Sequence, residues 1–282
     1  VVDLEVHYAA STVLTTAKGR IVDLLLVVNL GERLLVITSP ETPDKVIDWL
    51  DFYTFGEDIS VENDTHNSIL LSIIGPSAGN ILRSQGIPQL DAFESCQVPL
   101  FGQQVTVVRT DCYGLEGYEV IAPSDNASLI WASLRDAGAE PVGESALEQV
   151  RVENGIPKYG HEIGEDFNPI EAGLLPSISF DKGCYIGQEV VLRLKTYDKV
   201  QKSLKHITIS GHPSERSRLE YEGKEVGIIT SVVESQIPGK SLAIGYVRNA
   251  YAEPGQLLEV KDGSTTSQGS VSNLYDLKAI PG

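Results

Sequence analysis

The densest run of reactive groups in the chain is Phe180-Asp181-Lys182-Gly183-Cys184-Tyr185-Ile186-Gly187-Gln188-Glu189-Val190-Val191. A thiol sits between two glycines, with an ammonium before it and a carboxylate after it, and the run ends on an apolar β-branched pair. Gly183 and Gly187 permit positive φ or the close approach of a backbone or ligand, which predicts a tight loop pressed against a neighbour. A cation such as Lys182 favours thiolate at a partly exposed Cys184. Free cysteines are among the most buried residue types, so the residues alone favour an inert Cys184 inside a close-packed turn over a reactive one.

Two further carboxylates and two guanidiniums stand out. Asp23 lies inside Ile21–Val28, a run otherwise apolar. It is expected either at a sheet edge or buried toward a ligand, because an unpaired buried carboxylate is costly. Glu119 follows Gly117-Tyr118 on a predicted strand, where a solvent-facing glutamate is the ordinary case. Arg151 and Arg193 suit either an anion or a structural ion pair with Glu153, Glu171 or Glu189. Tyr113 has a ring that could stack on a flat ligand, although aromatics at strand ends are more often core.

The elements that must position these groups follow from pattern. Arg20–Val28 and Arg33–Thr38 are strand-like runs around Asn29-Leu30-Gly31-Glu32, a hairpin signal. Thr42-Pro43-Asp44 opens a helix with Val46, Ile47 and Leu50 on one stripe. Ile69–Ile74 is a strand, followed by a short helix capped by Ser77 that stops near Gly86. Val105–Arg109 and Tyr118–Ile121 read as paired strands, followed by a helix from Ser124 through Leu134. Strand pairs alternating with single helices imply an α+β architecture with a largely antiparallel sheet. Glu144–Val152 is a further helix. Beyond Cys184, Leu204–Ile209, Glu225–Val233, Leu242–Val247 and Gln256–Val260 predict a small all-β sandwich or barrel, with the boundary near Lys202. Val1–Ala17 is too short and irregular to assign.

Composition narrows the classes. The chain has 282 residues, 41% hydrophobic and 22% charged, enough for two domains with ordinary cores. No apolar run approaches the ~18 residues of a membrane span. A formal charge of -17 argues against an extended nucleic-acid surface. Lys195, Lys199, Lys202 and Lys205 are expected on a solvated strand face or loop rather than in a binding patch. Three cysteines, Cys96, Cys112 and Cys184, without metal-ligand spacing support neither a disulfide framework nor a metal site, which points to a reducing cytoplasm. Val1–Ala10 has no basic n-region, so no signal peptide is expected. No G-x-G-x-x-G follows a strand, which disfavours a dinucleotide fold. The absence of methionine is improbable for a complete translated sequence. We expect the natural chain to contain residues missing here, and a methionine-free peptide map would overturn that.

The string K-G-C-Y-x-G-Q-E at residues 182–189 resembles the signature of the YgfZ-type folate-binding proteins. These are relatives of the glycine-cleavage T-protein, a tetrahydrofolate-dependent aminomethyltransferase. Arg151–Pro157, Gly160–Ile163 and Asn168–Leu174 are similar to the R-x-E-x-G-x-P, G-x-E-I and P-x-E-A-G-L runs that precede it in the family. Gly75–Ala78 is similar to its G-P-x-A helix start, Arg109–Glu119 to its R-T-x-x-Y-G-x-E-G-[FY]-E run, and Gly227–Ser231 to its C-terminal barrel. The likeness runs in order from about Lys18 onward.

The resemblance implies a pseudo-repeated, mixed or antiparallel sheet-and-helix portion that binds tetrahydrofolate around a central hole, residues 1–202. A C-terminal β-barrel, residues 203–282, would follow. It implies Asp23, Tyr113, Glu119, Arg151 and Arg193 as folate-binding residues, with Glu119 accepting the pterin edge and an arginine meeting the glutamate tail. Cys184 and Asp23 become the catalytic candidates, and Lys182, Gly183, Tyr185, Gly187, Gln188 and Glu189 form the motif loop. Two positions depart from the pattern. T-proteins carry two adjacent aspartates where this chain has Asp23-Leu24, and tend to have an asparagine where it has Thr38. The expected function is tetrahydrofolate binding in iron–sulfur cluster assembly or repair through Cys184, with iron–sulfur proteins as partners. The alternative is aminomethyl transfer with a lipoyl carrier protein, and a third is a scaffold with a vestigial pocket.

Overall fold

The structure, a computed structural model, describes residues 3–196 and 200–274. These form two compact units, one of residues 3–12 and 25–142, the other of residues 13–24, 143–196 and 200–274. Strands β1 (Ala9–Thr15) and β2 (Ile21–Asn29) pass through both, so the turn end of this hairpin belongs to the second unit. β3 (Leu34–Ile37) completes a sheet of order β1-β2-β3, pairing Leu26 with Ile37 and Asn29 with Leu34. The expected hairpin is present, and β1 is a strand that sequence pattern did not define.

In the first unit, α1 (Pro43–Tyr53) starts at a proline whose missing N–H a helix start does not need, and it buries Val46. A second sheet has the order β4-β7-β6-β5, all antiparallel: β4 (Ser68–Ile74), β5 (Ser95–Leu100), β6 (Gln103–Arg109) and β7 (Gly117–Pro123). Side chains alternate along β7, so Tyr118, Val120 and Ala122 are buried while Glu119 and Ile121 are half-buried. The buried face is a core with Ile73, Val105 and Val107, covered by Leu82 of α2 (Ala78–Ser84) and by Ile130 and Leu134 of α3 (Ala127–Asp136). A 3-10 turn, Ser124–Asn126, precedes α3, which moves the helix start to Ala127. β5 has proline and glutamine among its residues, which hid it in the sequence.

The second unit holds α4 (Glu144–Glu153), α5 (Gln188–Thr196) and a closed barrel. The barrel strands are β8 (Lys202–Ser210), β9 (Arg218–Tyr221), β10 (Lys224–Glu234), β11 (Lys240–Arg248), β12 (Leu257–Asp262) and β13 (Thr265–Ser272), in the order β10-β11-β8-β13-β12-β9. Closure leaves no unpaired sheet edge. One core contains Ile207, Ile209, Leu219, Ile229, Val247, Val260 and Val271. A second gathers Ile21, Val152, Ile163, Phe167, Leu204, Ile244 and Tyr246, with Val13 and Leu24 packed against it. The hairpin turn is thereby fixed to the same core as α4 and strands β8 and β11. Phe167 and Tyr246 stack at 4.0 Å, and the Lys202 ammonium lies 4.5 Å from the Phe167 ring centre.

The architecture is α+β followed by a barrel, as the pattern implied. Of the lysines expected on a solvated strand face or loop, Lys202 and Lys205 lie half-buried on β8, Lys202 over the Phe167 and Tyr246 rings and Lys205 donating to Asn273, whereas Lys195 is on α5, exposed, over the Phe180 ring. Lys199 lies outside the described residues, as do residues 275–282 of the expected barrel domain. Among the described residues, no helix is long and apolar enough to cross a membrane.

Candidate functional site

The motif loop ends in α5 and is seated on the β1–β2 turn. Gly187 has φ 84, and a Cβ there would lie 2.6 Å from the Thr16 carbonyl oxygen and 3.2 Å from the Gly19 Cα. Only glycine fits this approach of two backbones. The Thr15 hydroxyl donates to the Ile186 carbonyl at 2.6 Å, and the Tyr185 N–H donates to the Gln188 side chain at 3.2 Å. Val190 and Val191 complete the contact against Gly19. Gly183 has neither a positive φ nor a neighbour within 4 Å of its missing Cβ, so the loop needs one of its two glycines and not both.

Cys184 is exposed, which overturns the buried-turn reading of the thiol. The Lys182 ammonium sits 5.0 Å from the Tyr185 ring centre, a cation–π distance. Burial raises the Tyr185 phenol above its ordinary pKa of 10.0, and its hydroxyl has no hydrogen-bond partner among the described residues. Glu189 is exposed at the start of α5, and Arg193 is exposed one turn further on.

Asp23 is 0% exposed, on the central strand of its sheet. The sheet-edge alternative therefore falls away. Its Oδ1 accepts the Leu24 N–H at 2.8 Å. Leu24 itself joins the apolar core of the second unit, which explains why an acid is absent there.

Glu119 and Tyr113 belong to the first unit. Strand register puts Ser95, Val108, Glu119 and Ser72 in one row across the second sheet. The Ser72 hydroxyl donates to Glu119 Oε2 at 2.7 Å, which fixes one carboxylate oxygen on a half-buried face. Tyr113 stands in the β6–β7 connection with φ 58 and ψ 22, and Asp111 beside it has φ 44. Non-glycine residues held in this left-handed region cluster at functional sites. Thr38 turns its hydroxyl to the Ser39 carbonyl.

Arg151 is buried, and all five of its N–H donors meet protein acceptors. They go to both oxygens of Glu148, to Glu162 Oε2 at 3.1 Å, to the Ile156 carbonyl and to the Ser231 hydroxyl. The ion-pair partners are thus Glu148 and Glu162, not Glu153, Glu171 or Glu189. Glu148 is held below the usual carboxylate range chiefly by its hydrogen bond from Arg151. Glu162 also accepts the Lys158 N–H and the Ser231 hydroxyl. The sequence had placed Glu162 in the G-x-E-I run without a partner.

The GCVT N-terminal domain matches residues 1–182, and the glycine cleavage T-protein C-terminal barrel domain matches residues 202–274. An aminomethyltransferase of Desulfitobacterium hafniense is 30% identical over 267 residues, covering 92% of this chain and 72% of that protein. A chloroplastic protein of Arabidopsis thaliana is 30% identical over 253 residues, and the chain spans 59% of its length and 88% of its own. The crystal structure of glycine cleavage system aminomethyltransferase T from Bartonella henselae shares the fold, with a TM-score of 0.84 at 21% identity over 99% of this chain and 79% of that one. Because the N-terminal and C-terminal domains of one family together match nearly the whole sequence, the chain belongs to the glycine-cleavage T-protein family.

Proposed function

We propose that this chain is a tetrahydrofolate-binding one-carbon transferase of the aminomethyltransferase type. The observation that carries the reading is Asp23, a fully buried carboxylate kept in the middle of an apolar strand. A buried carboxylate is costly to keep, and buried ionisable groups concentrate at functional sites; Glu162, equally buried, is taken up by the Arg151 network. The relative named an aminomethyltransferase supports the same reading. Tetrahydrofolate, when bound, would supply the nucleophilic nitrogen for the one-carbon unit, which would part from the sulfur of a lipoyl carrier protein, released as a thiol, and from its amino group, released as ammonia. Asp23 places or takes the proton at that nitrogen. Glu119, held in place by Ser72, is a carboxylate acceptor, the chemical complement of the amino and ring N–H edge of a pterin. Tyr113 supplies a stacking ring, and exposed Arg193 meets the glutamate tail. Arg151, with its donors committed, braces the second unit. In this reading residues 1–202 form the folate-binding portion and 203–282 the barrel, in a reducing compartment such as the cytoplasm.

Calorimetric titration with tetrahydrofolate and its 5-formyl derivative tests folate binding. Binding is expected near the micromolar range, about -8 kcal/mol, and Glu119→Ala is expected to weaken it at least tenfold, about 1.4 kcal/mol. No binding by the parent chain overturns the proposal. Asp23→Asn is expected to abolish folate-dependent ammonia release from an aminomethyl carrier while leaving folate affinity within a few-fold.

The exposed thiol favours a second reading, that of the YgfZ type. There folate is a bound partner and Cys184 acts in iron–sulfur cluster assembly or repair, with iron–sulfur proteins as partners. Full restoration of iron–sulfur enzyme activity by Cys184→Ala in a deletion strain would rule this out.

A further inference from the structure

On the first unit, on the face of the second sheet opposite Glu119, lies a cavity of about 260 Å³. Asn80 and Arg83 of α2 and Gln89 form its exposed rim, and Arg109, Glu116 and Tyr118 its deeper wall. Pro76 also lines the cavity, and every other lining side chain is polar at its tip, which suits a small hydrophilic ligand better than an apolar one.

The wall is built, not incidental. Gly79 carries no Cβ, and one placed there would lie 2.6 Å from Glu116 Oε1, 2.9 Å from the Tyr118 hydroxyl and 3.7 Å from Arg83 Nη1. A cation and a carboxylate thus come within reach of one point on the helix. The Tyr118 hydroxyl donates to Glu116 Oε1 at 2.9 Å, leaving Oε2 as an acceptor. Arg109 is anchored through Nε to Asp111 and through one Nη1 N–H to the Leu90 carbonyl, both at 3.0 Å. Its remaining three N–H donors have no hydrogen-bond partner among the described residues. Arg83 uses one N–H, toward Asn80, and four remain.

Two guanidiniums with donors to spare face one carboxylate with an oxygen to spare, in a chain whose overall charge is -17. Guanidinium forks recognise carboxylates in two-pronged fashion. Glu116 would repel a phosphate dianion but would welcome an ammonium beside the bound carboxylate. From this arrangement we infer that the cavity binds a free α-amino acid, its carboxylate on Arg83 and Arg109 and its ammonium on Glu116. The site faces away from Glu119, and the inference does not rest on folate binding.

The test is calorimetric titration of the full chain with L-glutamate, with glutarate, which lacks the amino group, and with inorganic phosphate. L-glutamate is expected to bind with a Kd of about 10 μM to 1 mM, and the other two at least tenfold more weakly. Arg83→Ala, at an exposed position with one side-chain bond, is expected to weaken L-glutamate at least tenfold while leaving tetrahydrofolate titration unchanged. Glu116→Gln is expected to remove the preference of L-glutamate over glutarate, and circular dichroism checks that both variants fold. No binding of L-glutamate, binding of phosphate or glutarate equal to it, or L-glutamate affinity indifferent to Arg83→Ala would each overturn the inference.

Discussion

Arg151 shows what one side chain decides in this protein. It is 4% exposed and its partner Glu162 is 0% exposed, so removal of either leaves the other charged, buried and incompletely paired. Removing one partner of such a pair costs about 3–5 kcal/mol, whereas replacing both with apolar groups of similar volume is often neutral. Arg151→Met is therefore expected to lose about 3–5 kcal/mol in urea denaturation. Arg151→Met with Glu162→Leu is expected to recover part of that loss. A single variant within 1 kcal/mol of the parent would refute the bracing role assigned to Arg151. Part of this network could have been read in advance. Glu148 stands three residues before Arg151 on the predicted helix Glu144–Val152, the spacing at which helical side chains meet. Glu162 and Ser231 could not be read this way, because their approach depends on how α4, the loop and β10 pack, which no local pattern encodes. The same limit applies to Asp23: its apolar neighbours allowed either a sheet edge or burial, and the packing around it decided between them.

At the scale of elements, the contact between the hairpin turn and α5 determines how the thiol is presented. Gly187 is wedged against the backbone of Thr16 and Gly19, whereas a Cβ at Gly183, four residues earlier, would meet nothing within 4 Å. Gly187→Ala must bear both a left-handed φ, about 1–2 kcal/mol, and a backbone collision, typically about 1–3 kcal/mol. It is expected to destabilise the chain by about 2–4 kcal/mol in chemical denaturation, while Gly183→Ala stays within about 0.5 kcal/mol. Equal effects of the two substitutions would show that the turn is not seated as described. Sequence spacing singled out both glycines because each permits the same conformations; which one uses them depends on a partner 171 residues away along the chain, such as Thr15 against Ile186. α5 itself was hidden for a related reason. Val190-Val191 favours strands locally, and the helix exists because those side chains pack on Gly19. Hairpins, α1, α4 and the longer barrel strands were legible because their apolar spacing and turn residues agree. β9 and β13 have four and eight residues rich in polar side chains, and acquire strand structure by closing the barrel.

For the whole molecule, the order α+β then barrel was legible, but the assignment of residues 13–24 to the second unit was not, since it depends on packing between distant segments. Both units bury ionisable groups that limit the pH range of the fold. On the alkaline side, burial pushes the Tyr118 phenol from 10.0 up to about 12. The unfolded chain releases that proton first, so stability falls as pH rises above about 10. On the acid side the first group to act is His206, which is 1% exposed, with Nε2 2.7 Å from the Val152 carbonyl oxygen. Burial lowers its pKa below the ordinary 6.5, outweighing its bonds to the backbone of Val152 and Asn273. The unfolded state therefore binds a proton that the folded state refuses. Stability declines as pH falls from about 6.5 toward the lowered folded value, and this group adds no further loss beneath it. Glu148 acts in a lower window, since its pKa is depressed from 4.5 by Arg151 and its contribution disappears only as pH drops below that value. The two windows are separable. His206→Gln keeps an N–H donor for the Val152 carbonyl and removes the titration, so between about pH 6.5 and 5 its unfolding free energy is expected to fall less steeply than that of the parent. Urea denaturation across that range measures both slopes, and identical slopes for parent and variant would show that another group sets the acid limit.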